Sequence, residues 1–281
     1  MILFACLQRI CYTILRTDVR KTGVPPIPIP EGTRRNENAE RKYHKEQVRK
    51  SKMNKVYIGF KYVTDFLLAI IGVAVTAPIM LAVAIAIKAE DGGPVLFTQR
   101  RTGAGGKKFN CYKFRSMTST DVSYDKEKRV ISEDNPNVTR VGRVIRKFKL
   151  DELPQLFNVI KGDMCFIAPR PLLPVFDTDY EDWEMVKFEM RPGMTGLGQI
   201  YGNGHLSIKD RKYYDVYYVM HASLWLDVQI ALKTVGVVLF GEKRYLRPVS
   251  EQEYRRLKRE VRRRYTVSPD TVAQLRPSSL S

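Results

Sequence analysis

Phe66–Ile87 reads FLLAIIGVAVTAPIMLAVAIAI, an uncharged run bounded by Asp65 and Lys88. At about 1.5 Å per helical residue it reaches roughly 33 Å, enough for a hydrocarbon core of about 30 Å, so it is read as a membrane element. Pro78 bears on how that element sits. Proline lacks the N–H for the helical ladder, and its ring crowds the carbonyl of Ala74; the cost of about 3 kcal/mol predicts a sharp bend. Charge bears on it too. Lys50, Lys52, Lys55 and Lys61 precede the run and Arg100, Arg101, Lys107 and Lys108 follow it, whereas a spanning helix carries its positive charge mainly on one side. Together these features predict a re-entrant helix that enters one leaflet, breaks at Pro78 and returns. A kinked transmembrane anchor is the alternative, because proline is tolerated in spanning helices.

Upstream, residues 1–54 differ in character. An apolar face at Ile2–Leu15 is interrupted by Arg9 and has no basic segment before it, which makes it a poor signal peptide. GVPPIPIPEG reads as an extended linker and RRNENAERKYHKEQVRKSK as a solvated charged segment; Met53 is an alternative start.

Downstream, two strands are expected near Val95–Gln99 and Phe109–Phe114, joined by a glycine-rich turn. That turn is not a Walker loop, since Arg101 and Lys108 stand where the motif needs glycine and Ser or Thr. Val138–Lys149 is an amphipathic helix with Val141, Val144, Ile145 and Phe148 on one face and Arg140, Arg143, Arg146 and Lys147 on the other. A second lies near Ser223–Phe240, with Leu224, Val228, Ala231, Val235 and Val238 at helical spacing. Tyr213, Tyr214, Tyr217, Tyr218 and Trp225 gather about its start. Such a cluster suits the lipid headgroup zone, with a soluble core helix as the other reading. EQEYRRLKREVRRRY is a basic helix, followed by a tail.

The expected fold class is therefore α+β, mostly helical: a re-entrant helix–break–helix, amphipathic interfacial helices and a small catalytic domain with a β-hairpin. Expected boundaries are 1–54, 55–92, 93–245 and 246–281. The hydrophobic content of 44% supports a core. The net charge of +18 calls for an anionic partner, whether nucleic acid, anionic lipid or a phosphorylated substrate. Cys6, Cys11, Cys111 and Cys165 lack metal or disulfide spacing, which suits a reducing, cytosol-facing location.

Lys149–Gln155, KLDELPQ, sets two carboxylates directly after the cationic helix. Acids at a helix entry often do no more than complement its dipole. Beside the cations at headgroup depth, one can face a metal and the other a reacting atom. An ionised aspartate is a ready nucleophile at neutral pH, but it repels an anionic phosphate by about 4 kcal/mol at 4 Å and an effective dielectric of 20. Mg²⁺ and arginines would have to offset that repulsion.

KLDELPQLFNVIKGDMCFIAPRPLLP resembles the central motif of the monotopic bacterial polyprenol-phosphate phosphoglycosyl transferases, which belong to the bacterial sugar transferases. The similarity extends to Lys61, Asp65, Pro78, FTQRRTG, YKFRSM, RPGMTGLGQI and YYDVYYVMHASLWLDVQIALKT, from about Asn54 to Glu242. It implies Asp151 as the nucleophile that takes a phospho-sugar from a UDP-sugar and releases UMP. It implies Glu152 as the Mg²⁺ ligand, and polyprenol phosphate as the acceptor presented by membrane lipid. Arg146 matches a phosphate-contacting arginine and Arg170, between Pro169 and Pro171, one at the nucleotide end; Lys113, Arg115 and Arg191 join the substrate-binding residues. The implied location is the bacterial cytoplasmic (inner) membrane with the catalytic domain on the cytoplasmic face. No nucleic-acid partner is implied, and an oligomer stays open. Ala77 stands where the family commonly has serine before the proline, Ala168 replaces a glycine, and Tyr201-Gly202-Asn203 replaces Asn-Gly-Arg. The competing reading is a membrane-tethered basic module for nucleic acid or anionic lipid, although no helix-turn-helix, zinc finger or aromatic RNA-binding string is present.

Overall fold

The computed structural model describes residues 37–118 and 135–264, with side chains from residue 56. The N-terminal apolar face, the proline-rich linker and the C-terminal tail lie outside the described residues. The chain divides into two units, Met1–Phe60 and Lys61–Ser281; both sheets, the core and the acidic pair belong to the second.

The described residues are mostly helical, with two small sheets. Helix α1, Glu37–Asp91, holds Pro78 in its interior and continues as helix through it, in place of the expected helix–break–helix. Proline removes only one rung of the ladder, and the Ala, Leu and Met residues around it are good apolar helix formers. The Thr76 hydroxyl donates to the carbonyl of Gly72 at 2.6 Å, not to that of Ala74, which Pro78 leaves without its helical donor.

One side of the apolar run is buried. Ala69 and Val73 pack with Leu156, Cys111 and Met164, and Val83 and Ile87 pack with Phe114 and Ile145. The rest faces outward: Leu68, Ile71, Val75, Leu81 and Ile85 are all exposed. This is the one described helix long and apolar enough to cross a membrane.

Strands β1, Leu96–Thr102, and β2, Lys108–Phe114, form an antiparallel hairpin in which Leu96 faces Phe114 and Thr102 faces Lys108. The glycine-rich turn at Ala104–Gly106 closes it, with Gly105 and Gly106 at φ of 60° and 76°. Glycine adopts this left-handed backbone without the Cβ clash that penalises other residues. After α2, Arg140–Lys147, and α3, Gln155–Lys161, come β3, Cys165–Ile167, and β4, Gly193–Thr195. These two pair in parallel. They are too short to leave a periodic signature, and the sequence reading missed them.

A short helix α4, Leu197–Ile200, precedes three longer ones: α5, Ile208–His221, α6, Leu224–Phe240, and α7, Glu251–Arg264. Helix α5 supplies the centre of the core, burying Tyr213, Tyr214, Val216, Tyr218 and Val219 against Trp183, Ile230 and Leu257. These tyrosines are therefore core residues rather than a headgroup belt. Their hydroxyls find internal acceptors, Tyr214 at the Arg247 carbonyl and Tyr218 at Asp227 and the Ile167 carbonyl, which offsets the cost of burying them. Trp225 stays outward at 69% exposure, and the α6 face of Leu224, Val228, Leu232, Val235 and Leu239 is exposed with it. That face is not a soluble core seam.

Candidate active site

Helix α2 is placed by three devices. Thr139 caps it, accepting from the Gly142 N–H at 2.8 Å. The Glu90 carboxylate, at the end of α1, accepts from the N–H groups of Arg140 and Val141 at 2.7 and 3.2 Å, setting a negative charge against the positive end of the helix dipole. Gly142 allows close approach, because a Cβ there would sit 2.2 Å from the Ser116 carbonyl oxygen.

Past α2 the chain reverses at Lys149, which holds a left-handed backbone with φ 57° and ψ 19°. This conformation is uncommon for a residue with a side chain. Its ammonium is 2.6 Å from Glu242, which also accepts from Asn203 at 2.9 Å. The reversal throws Leu150–Glu152 into a single 3₁₀ turn directly ahead of α3. Asp151 and Glu152 thus occupy a pinned turn between two helices.

Within that turn the two acids differ. Glu152 Oε1 accepts from both Lys113 and Arg170 at 2.8 Å. Burial works against its charge, but the Arg170 and Lys113 cations outweigh burial and hold the carboxyl well below its ordinary value. Asp151 goes the other way: burial raises its carboxyl, with Lys113 opposing and the Glu152 charge adding. Asp151 Oδ1 is buried without a hydrogen-bond partner. An unpartnered buried carboxylate oxygen is costly and calls for an explanation in the chemistry of the site.

Arg170 is held through its backbone. Its N–H donates to Asp215 at 3.1 Å, and Lys187 donates to its carbonyl at 3.2 Å. Lys187 and Asp215 are themselves a buried ion pair at 2.8 Å, and Lys187 also donates to the Tyr180 hydroxyl at 2.9 Å. Burial disfavours the Lys187 charge, yet the Asp215 carboxylate raises the ammonium above its ordinary value. Pro169 and Pro171 are fixed through their carbonyls, which accept from Gly193 at 2.9 Å and from Arg101 at 3.0 Å. A small depression lies between Arg101, Lys113, Gln155, Arg170 and Pro171.

The expected residues Asp151, Glu152, Lys113, Arg170, Pro169 and Pro171 therefore come together, with Arg146 near enough to lower Asp151 through its charge. Two expected residues do not join them by direct contact. Arg115 bonds Asp91 and the Pro94 carbonyl, and Arg191 lies over the Tyr62 ring at 4.2 Å. Sequence reasoning missed Lys187, Asp215 and Tyr180. The available signal was a lysine flanked by Met185, Val186 and Phe188 and an aspartate within YYDVYY.

A carboxylate is a hard donor of the kind a hard divalent cation takes, but Glu152 Oε1 already accepts from Lys113 and Arg170, and no group of three or more His, Cys, Asp or Glu side chains gathers among the described residues. Mg²⁺ commonly takes one or two carboxylates and completes its shell with water and substrate phosphate.

The profile of the bacterial sugar transferases matches residues 56–241. The chain belongs to that family. Lys113, Arg146, Asp151, Glu152, Arg170, Lys187 and Asp215 fall within the matched region, while Glu242 and α7 lie beyond it. The UDP-N-acetylgalactosamine-undecaprenyl-phosphate N-acetylgalactosaminephosphotransferase of Aeromonas hydrophila is 38% identical over 204 residues, covering 70% of this chain and 48% of the relative. The undecaprenyl-phosphate galactose phosphotransferase of Salmonella typhimurium is 38% identical over 194 residues, 64% of this chain and 40% of the relative. The exopolysaccharide production protein ExoY of Sinorhizobium fredii is 36% identical over 194 residues, 64% of this chain and 86% of the relative. This bacterial sugar transferase thus spans less than half the length of the first two relatives and most of the third.

Proposed function

We propose that the chain transfers a phospho-sugar from a UDP-sugar to polyprenol phosphate at the first membrane step of glycan assembly. The observation that carries this is the asymmetry of the acidic pair: Glu152 is clamped by Lys113 and Arg170, and Asp151 keeps a buried oxygen with no partner. Asp151 attacks the phosphorus that bears the sugar. The bond from that phosphorus to the bridging oxygen breaks, and UMP leaves with the electron pair. An oxygen of polyprenol phosphate then attacks the same phosphorus, the bond to Asp151 breaks, and the carboxylate is restored as polyprenol-diphosphate-sugar forms. Atoms and charge balance without an oxidant or an external base.

Lys113, Arg146 and Arg170 receive the diphosphate and lower the repulsion that the Asp151 anion meets on approach. Glu152 would hold Mg²⁺, which supplies charge neutralisation on phosphate oxygens when bound. Family membership and the names of the relatives support the substrate class.

Helix α1 is proposed to bend at Pro78 without losing its helical run and to return to the leaflet it came from, with the catalytic unit on the cytoplasmic face. Support comes from both ends of its apolar run. Lys61 pairs with Asp227 at 2.5 Å before the run, and Asp91 bonds Arg115 at 2.7 Å after it. Both partners belong to one globular unit, so a helix crossing the bilayer would drag charged groups of that unit to opposite sides.

Enzyme incubated with UDP-sugar and quenched should carry the phospho-sugar mass on the peptide containing Asp151. Full turnover in Asp151→Asn without an adduct would rule the mechanism out. For the topology, Lys55→Cys and Lys107→Cys should both be labelled from the cytosolic side, and labelling of the first from outside would refute re-entry.

A further inference from the structure

We infer that α7 is a lipid-reading element whose arginine face binds anionic headgroups at the rim of the membrane-facing surface. The helix is firmly docked. Tyr254, Leu257 and Val261 are buried in the core, and the Tyr254 hydroxyl donates to Glu184 at 3.1 Å. Docking fixes which side points away. At 100° per residue, Arg255, Arg256, Arg259, Arg262 and Arg263 fall within an arc of roughly 120° opposite the buried stripe, and no acid interrupts them. Arg256, Arg259, Arg262 and Arg263 are exposed and have no ion-pair partner among the described residues. A bare cationic face of this density is a charge complement in search of anions.

Position then selects the anion. Glu260 Oε1 is 3.5 Å from His221 Nε2, and Arg264 is 3.1 Å from the same carboxylate. His221 ends α5, and α6 begins at Leu224, so the C-terminal turn of α7 sits beside the first residues of α6. There Leu224 is 62% exposed and Trp225 is 69% exposed, at the start of the outward apolar face. An exposed indole beside exposed apolar side chains is the composition of a headgroup boundary. The inference therefore sets the end of α7 and the outward apolar face of α6 at the same bilayer rim, and it rests on the bilayer placement proposed above for α1. Helix α7 lies outside the family-matched region.

The test uses the full chain, diluted from neutral detergent into vesicles of zwitterionic lipid or of zwitterionic lipid with an anionic fraction. Binding is measured against lipid concentration for the wild type and for Arg256→Gln/Arg259→Gln/Arg262→Gln/Arg263→Gln. Each cation near an anionic leaflet contributes about a fivefold gain, so four predict a preference of roughly a hundredfold or more for anionic vesicles. The variant should lose most of that preference, keep its thermal stability and bind zwitterionic vesicles as the wild type does. An undiminished preference in the variant would overturn the inference. So would retention of the wild type on a polynucleotide in the presence of excess anionic vesicles. Failure of both proteins to bind zwitterionic vesicles would instead strike at the bilayer placement.

Discussion

Replacing Lys187 with methionine tests whether a buried charge holds Arg170 in place. The two side chains of the Lys187–Asp215 pair are 2% and 4% exposed. Removing the ammonium leaves Asp215 buried with the Arg170 N–H as its nearest donor, and breaking such a pair costs about 3–5 kcal/mol. For a unit of this size, each kcal/mol moves Tm by about 2–4 °C, so Tm should fall by about 6–20 °C. The deficit should depend on pH. Burial already raises the Asp215 carboxyl and Lys187 opposes it; without Lys187 the folded value rises further. A carboxyl raised in the folded state binds its proton more tightly there, so it favours folding at low pH and loses that advantage as pH rises through the folded value. The variant should therefore lie closer to wild type at pH 5 than at pH 7.5. Function should suffer separately. The Arg170 carbonyl loses a charged donor, a bond worth about 1.5–3 kcal/mol, and turnover measured by UMP release well below the new Tm should fall about 10- to 100-fold. Pairing with Arg170→Lys should be markedly less than additive, since both changes disturb one contact with Glu152. A Tm within about 3 °C of wild type, or a deficit that widens toward pH 5, would contradict this role for Lys187.

Other outcomes follow from the same geometry. Lys113→Met removes a cation that holds Asp151 down, so the acidic limb of kcat/KM, which reports ionised Asp151, should move to higher pH. Gly142→Ala drives a methyl group into the Ser116 carbonyl and should cost about 1–3 kcal/mol by chemical denaturation, with loss of turnover as α2 shifts. At Lys149, valine should be less stable than glycine by about 1–2 kcal/mol, because only glycine accepts the left-handed backbone freely; equal stabilities would mean that the turn stores no local strain.

What the sequence disclosed depended on the range of the interaction. The hairpin was legible because alternation and a glycine turn are local, although Arg100 and Arg101 hid the last residues of β1. The helices at Arg140 and Leu224 were legible from periodicity. The tyrosines of α5 were misplaced because periodicity does not say which apolar face meets protein and which meets lipid. Asp151 and Glu152 stood out as an acidic pair directly after a cationic helix, and Lys113 and Arg170 came through a resemblance in motif, whereas Lys187 and Asp215 did neither. Their role exists only when a segment near Trp183 meets α5, a pairing across 28 residues that leaves no local pattern. Arg115 and Arg191 came from motif alone and bond elsewhere in this structure.

Glu90 and Asp91 give the molecule a fixed working height. Because the tip of the apolar helix caps α2 and grips Arg115, the bilayer placement proposed above would gear the acidic turn to the membrane through direct contacts and not through a tether. One residue inserted between Ile87 and Glu90 would swing both acids by about 100° around the helix and uncouple the gear while leaving every catalytic side chain intact. A lipid-borne acceptor whose phosphate floats at a constant level would then need no deep pocket for its tail, since the enzyme meets it at a preset depth.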